Sequence, residues 1–161
     1  MFKKIKHNSD LYNNLLLLSR NIFFYKEMSL EDTFETRIYL MFMHYSIILI
    51  IFKTKKFNID QENYNNLFFC IENNLRELGY GDIYVNKKMK DLNKLFYDIL
   101  IKINLSKIGF KLNKDLFIKY FDIFRQNEEK LKKCTNYFNR FYKFCFDKNP
   151  KNMLQDINKF K

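Results

Sequence analysis

Apolar residues recur along this chain at helical rather than strand spacing. Leu11, Leu15, Leu18, Ile22 and Tyr25 fall three or four residues apart behind Asp10, whose short carboxylate suits the free amides of a helix start. That face is wide and is expected to pack inward. Met28 to Thr33 forms a short break rich in capping side chains, and the run from Phe34 reads as a long helix, apolar nearly all round as a buried helix should be. Within it, Ile38 to Phe52 is a stretch of fifteen residues without a charge between Arg37 and Lys53. A membrane span needs about 20. A buried core helix is the favoured reading, and membrane contact is the alternative.

Asn58, Ile59 and Asp60 open a third helix, striped by Tyr64, Leu67, Phe68, Ile71, Leu75 and Leu78. Gly79 suits the left-handed position just past its end. Tyr80 to Val85 is locally strand-like, and Asn86 is expected to cap the next helix, which buries Met89, Leu92, Phe96, Ile99, Leu100 and Ile103. After a loop around Ser106 to Leu112, Asn113 or Asp115 starts another helix. Glu128 to Phe146 supports a longer one with Leu131, Cys134, Phe138, Phe141 and Cys145 inward, and Pro150 marks a break before a short terminal helix. No segment alternates long enough to require a sheet, no repeat of fixed period occurs, and no polar linker divides the chain. The expected fold is all-α, a single compact domain over residues 1–161 with about six to seven helices.

Composition leaves this picture intact. One Pro and three Gly in 161 residues provide few helix breaks. The net charge of +11 is carried mostly by Lys and would attract nucleic acid, anionic lipid or acidic protein. Ala and Trp are absent and Lys, Asn, Ile, Phe and Tyr are abundant. These are residues of A/T-rich codons, so genome bias is a second source of the charge. Cys70, Cys134 and Cys145 show no CxxC spacing and read as reduced, buried thiols. The start, Met1 to Asn8, is basic without an apolar signal core, and nothing in it suggests secretion.

The sequence contains neither GxxxxGK[ST] nor GxGxxG, no HExxH and no GxSxG. Its imidazoles are His7 and His44, and His44 reads as a core or interface histidine rather than a metal or haem ligand. No reaction, metal or cofactor is assigned, and the expectation is a protein that is not an enzyme.

The stretch Leu75-Arg76-Glu77-Leu78-Gly79-Tyr80-Gly81-Asp82-Ile83-Tyr84-Val85-Asn86-Lys87-Lys88-Met89-Lys90 closely resembles the signature of the ubiquinol-cytochrome c chaperone family. There a helix ends in Leu-Arg-Glu, passes a Gly-x-Gly-Asp turn to a Val, and resumes with Lys-x-Met-Lys. Asp32-Thr33 followed by Arg37 and the helix bearing His44 resembles a second block, and Leu11-Tyr12 with the Tyr25 region resembles the opening helix. The likeness covers about Leu11 to Tyr97. Thr36, Tyr80, Asn86 and Asp98-Ile99 depart from the pattern.

The resemblance implies a chaperone that engages newly made cytochrome b near the ribosome and the membrane until it receives haem and enters respiratory complex III. Candidate partner-binding residues are Arg37, His44, Arg76, Glu77, Asp82, Lys87 and Lys90, with Gly79 and Gly81 joining two helices. Asp82 is expected to cap amides or to pair with Arg76 or Arg37. Lys87, Lys88 and Lys90 are expected in a first helical turn, where cations oppose the macrodipole, and so read as a basic contact patch. A groove lined by Phe, Met and Tyr is expected to hold apolar client helices. Further candidate partners are ribosomal RNA, an anionic membrane surface and a small partner subunit; DNA is not expected. The expected place is the bacterial cytoplasm, peripheral at the inner face of the membrane, with a mitochondrial location as alternative. The rival function is a basic helical RNA-binding module using Asn136-Tyr137-Phe138-Asn139-Arg140-Phe141-Tyr142-Lys143. An enzyme acting on haem or quinone is a third reading without a residue pattern behind it.

Overall fold

Side-chain caps divide the chain where its polar breaks fall. Thr33 Oγ1 accepts from the Thr36 amide, Asp60 from Glu62, Asn113 from Asp115, Asn127 from Lys130 and Asn149 from Lys151. Each satisfies an amide that the first turn leaves without a partner. The computed structural model describes residues 10–161, so the readings of Met1 to Asn8 and of His7 lie outside the described residues. The described helices are α1 Asp10–Ser19, α2 Phe34–Thr54, α3 Gln61–Glu77, α4 Asp82–Lys102, α5 Lys114–Tyr120, α6 Glu128–Phe146 and α7 Pro150–Asp156. A π-helical turn, Phe23–Glu27, follows α1, and 3-10 turns follow α5 and α7. Among the described residues there is no strand, only an isolated bridge between Asn104 and Leu112.

The axis of the molecule is α2, on which α1, α4 and α6 pack; α3 lies against α1 and α4, α5 against α6, and α7 against α1. Although α2 is long and apolar enough to cross a membrane, 72% of its most apolar window is buried inside the protein. It is the core helix that the charge-free run suggested. The α6 stripe faces inward as expected, with Leu131, Cys134, Phe138, Phe141 and Cys145 all buried. All three cysteines are buried thiols, and burial pushes those of Cys134 and Cys145 well above the usual range.

Three expectations are corrected. The first stripe does not continue through Ile22: α1 stops at Ser19, the Asn21 side chain accepts from the Phe23 amide at 3.1 Å, and Ile22 turns out to solvent. Phe24 takes the buried place instead, and the Tyr25 hydroxyl donates to the Ser19 carbonyl at 2.6 Å. Leu78 is also exposed, because it is the C-cap of α3 and the chain has already left the helical line. Finally, Tyr80 to Val85 is not strand-like and Asn86 caps nothing: α4 begins at Asp82, with Gly81 as its N-cap. Val85 is fully buried and extends the inward stripe of Leu92, Phe96, Ile99 and Ile103 by two turns, which overrides local β preference.

The turn between α3 and α4 requires one of its two glycines. Gly79 sits at φ +94°, its amide bonds the Arg76 carbonyl at 3.0 Å, and the Tyr80 amide bonds the Leu75 carbonyl at 3.4 Å. This is a Schellman ending, in which the left-handed residue carries no Cβ. Gly81 lies at φ −77° with open space where a Cβ would stand, so neither backbone nor packing demands glycine there. Gly79→Ala should therefore cost about 1 kcal/mol of stability, while Gly81→Ser should be neutral or stabilising by a few tenths through capping of α4. Urea denaturation of the two variants checks the pair, and equal losses would contradict it.

Candidate functional site

Arg37 stands one turn inside α2, beyond the Thr33 cap, and reaches back to Asp32: its Nη2 and Nε lie 2.6 Å and 2.9 Å from Asp32 Oδ1. The pair forms part of the rim of a cleft of about 280 Å³ between α1, α2 and the end of α3. Arg20 and Asn74 add polar groups, and Leu16, Ile38, Met41 and Leu78 provide apolar lining. Glu77 lines a smaller adjoining hollow that shares Tyr12 and Asn74 with the cleft. Small-molecule pockets run upward from about 300 Å³. A cleft of that size has room for side-chain anchors rather than for a whole apolar helix.

Arg76 bridges Glu72, at 3.5 Å, and Asp82 across the turn. Asp82 thus pairs with Arg76 and not with Arg37, which Asp32 already occupies. Its carboxylate also favours the first turn of α4, where the helix dipole is positive. With the backbone held in this way, the turn displays Leu78, Tyr80, Ile83 and Tyr84, all exposed, the two tyrosines stacked at 4.3 Å. Such clustered exposed apolar side chains are the informative kind.

The basic residues separate into two groups. Because α4 starts at Asp82, Lys87, Lys88 and Lys90 lie in its second and third turns, so the macrodipole argument for them fails. Lys88 reaches Glu35 in the first turn of α2 at 3.6 Å, a partly exposed ion pair between the two helices. Lys87 and Lys90 point to solvent on the free face of α4, away from the cleft.

His44 is corrected as a contact residue, for its exposure is 0%. Nδ1 lies 2.6 Å from the Leu40 carbonyl and Nε2 2.9 Å from the Tyr137 hydroxyl. A carbonyl can only accept, so Nδ1 carries the proton and Nε2 accepts from tyrosine. The ring packs between Phe138 and Phe141, each centroid 4.8 Å away, and burial pushes its pKa down to about 4. It is a neutral core histidine joining α2 to α6, with no lone pair left for a ligand.

The sequence pattern did not point to Asp98, which departs from the family signature. Burial alone would raise its pKa, but hydrogen bonds from Lys102, Lys119 and Tyr120 outweigh that and hold it well below the ordinary carboxylate range. The Lys119 and Tyr120 contacts, at 2.8 Å and 2.6 Å, tie α4 to α5. No group of His, Cys, Asp and Glu suited to a metal occurs among the described residues. The aromatic run of α6 splits by facing: Tyr137, Phe138 and Phe141 are core, while Phe110 stacks on Tyr142 at 4.1 Å over an open hollow of about 650 Å³.

The family model described as Ubiquinol-cytochrome C chaperone matches residues 26–116, more than half of the chain. The match takes in α2, α3, the turn and α4, and continues into α5, farther than the resemblance ending at Tyr97. It leaves out Leu11-Tyr12 and all of α6. Neither a curated protein nor a solved structure matches the chain.

Proposed function

The chain belongs to the ubiquinol-cytochrome C chaperone family, and from that membership we propose that it binds newly made cytochrome b, without catalysis of its own, and releases it into complex III. The observation that carries the reading is the braced turn beside the cleft. Arg76 and Asp82 pair across the turn, which leaves Leu78 on the cleft with Arg37 and Tyr80 exposed two residues on, where apolar client side chains can anchor under charged rims. The location proposed with it is the bacterial cytoplasm, peripheral at the inner face of the membrane, in reach of a membrane-bound client. The ribosome and a small partner subunit are further partners in this proposal.

Cells lacking the gene should lose most of their cytochrome b, by haem difference spectrum and immunoblot, while its messenger and another membrane haem protein persist. A Leu78→Ser/Tyr80→Ser variant should restore little of it, although both side chains are exposed and the purified variant should melt with the parent. Unchanged cytochrome b in the deletion strain would end this assignment.

A second reading attaches to the α6 hollow, where Asn136, Asn139, Arg140 and Lys143 surround the Phe110–Tyr142 stack. Amides, cations and aromatic faces suit single-stranded RNA. Tight, salt-sensitive RNA binding without any effect on cytochrome b would favour it.

A further inference from the structure

Along its whole length α4 turns one face into the core and leaves the opposite face bare. Val85, Leu92, Phe96 and Ile99 are buried, whereas Ile83, Lys87, Lys90, Lys94, Tyr97 and Ile101 are all exposed. The spacing of this second set sets its members within about 40° of one line down the helix, roughly opposite the buried stripe, over about 27 Å. The line is apolar at both ends and basic between them. Ile83 is 90% exposed beside the stacked Tyr80 and Tyr84, and Ile101 is 74% exposed one turn beyond Tyr97. None of Lys87, Lys90 and Lys94 forms an ion pair among the described residues.

We infer that this face of α4 lies flat on an anionic lipid surface, its lysines on headgroup phosphates and Ile83, Tyr97 and Ile101 in the interfacial layer. The mixture on one line selects the occupant. A partner helix would have to take three lysines out of water on the same seam as the isoleucines, which is costly even against carboxylates. A second copy of the chain would set lysine against lysine. A lipid interface accepts both kinds at one depth: ammonium groups meet phosphates while lysine stems and apolar side chains sink a few ångströms. Tyrosine is favoured at that depth. The acidic residues of α4 lie off the contact. Asp82 is held by Arg76 and Asp98 by Lys102 and Lys119, while Asp91 sits about 80° around the helix from the line.

The inference gives a surface to the peripheral attachment proposed above and rests on that reading, though not on the identity of the client. Co-sedimentation of the full chain with phosphatidylcholine vesicles, with and without phosphatidylglycerol, tests it. The parent should bind only the anionic vesicles. K87Q/K90Q/K94Q should bind them about 100-fold more weakly, the effect of losing three lysines at the surface potential. I83S/I101S should weaken binding several-fold with charge unchanged, and both variants, altered at exposed positions, should keep the parent unfolding temperature. Equal binding by parent and variants would overturn the inference and leave the attachment standing on another surface. A parent that binds no vesicle would overturn both. If, in that case, K87Q/K90Q/K94Q also failed to restore cytochrome b in the deletion strain, the face would instead dock an acidic protein.

Discussion

Phe96→Ala should lower the free energy of unfolding by about 3–5 kcal/mol, in a domain whose total is about 5–15 kcal/mol. Phe96 is 1% exposed and is the residue through which α4 meets α2 and α3. Its ring lies 5.2 Å from Phe42 and 5.7 Å from each of Tyr45, Tyr64 and Phe68. Truncation loses the transfer free energy of the ring and leaves a cavity walled by large, stiff side chains that cannot close over it. The same junction positions the α3–α4 turn, so on the function proposed above the variant should also fail to maintain cytochrome b in cells. Urea denaturation measures the loss; a value below about 1 kcal/mol would mean that the junction collapses freely.

Acid should destabilise the protein through His44 before the carboxylates titrate. The folded-state pKa is depressed to about 4 from an ordinary 6.5 by complete burial. Below pH 6.5 the unfolded chain takes up a proton that the folded chain refuses, so stability present above that pH is lost as the pH falls toward 4. The full span corresponds to about 3 kcal/mol. Urea denaturation at steps between pH 7.5 and pH 4.5 should show the slope, and His44→Phe/Tyr137→Phe should flatten it. The double variant keeps an aromatic between Phe138 and Phe141 and leaves no tyrosine hydroxyl without its partner. A slope equal to the parent's would show that His44 is not the titrating group. At lower pH Asp98 adds to the loss, since its depressed pKa makes it stabilising only while it is ionised.

Helix order, the starts at Phe34 and Glu128, the opening of α3 around Asp60 and the inward stripe of α6 were legible because period and caps are local properties, whereas Asn113 and Asp115 left the start of α5 open and the structure puts the cap on Asn113. The start of α4 was misread: Val85 already stands in step with Leu92 and Phe96, but the aromatic and β-branched residues around it carry an opposing local preference that hides it. Gly79 was correctly marked by its place after a helix, whereas Gly81 had the same composition signal and no structural demand behind it. The family signature was readable because it is a contiguous string of residues, and the match over residues 26–116 bears it out.

Helical content and the family, then, follow from the order of residues alone, since each rests on neighbours within a few turns. Arg37 and Arg76 each had Asp82 as a possible partner, and both pair locally, Arg37 with Asp32 five residues back and Arg76 with Asp82 across the turn. Contacts between distant segments do not follow from that order. His44 became a core residue because α6 brings Tyr137, 93 residues away, within 2.9 Å of its ring. The bare face of α4 is likewise a product of tertiary packing. Any amphipathic helix has an outer side, but the arrangement of α2 and α3 determines that Ile83, the three lysines, Tyr97 and Ile101 are the residues left outside. Contacts between distant segments depend on how whole helices fill space, and no local period encodes that.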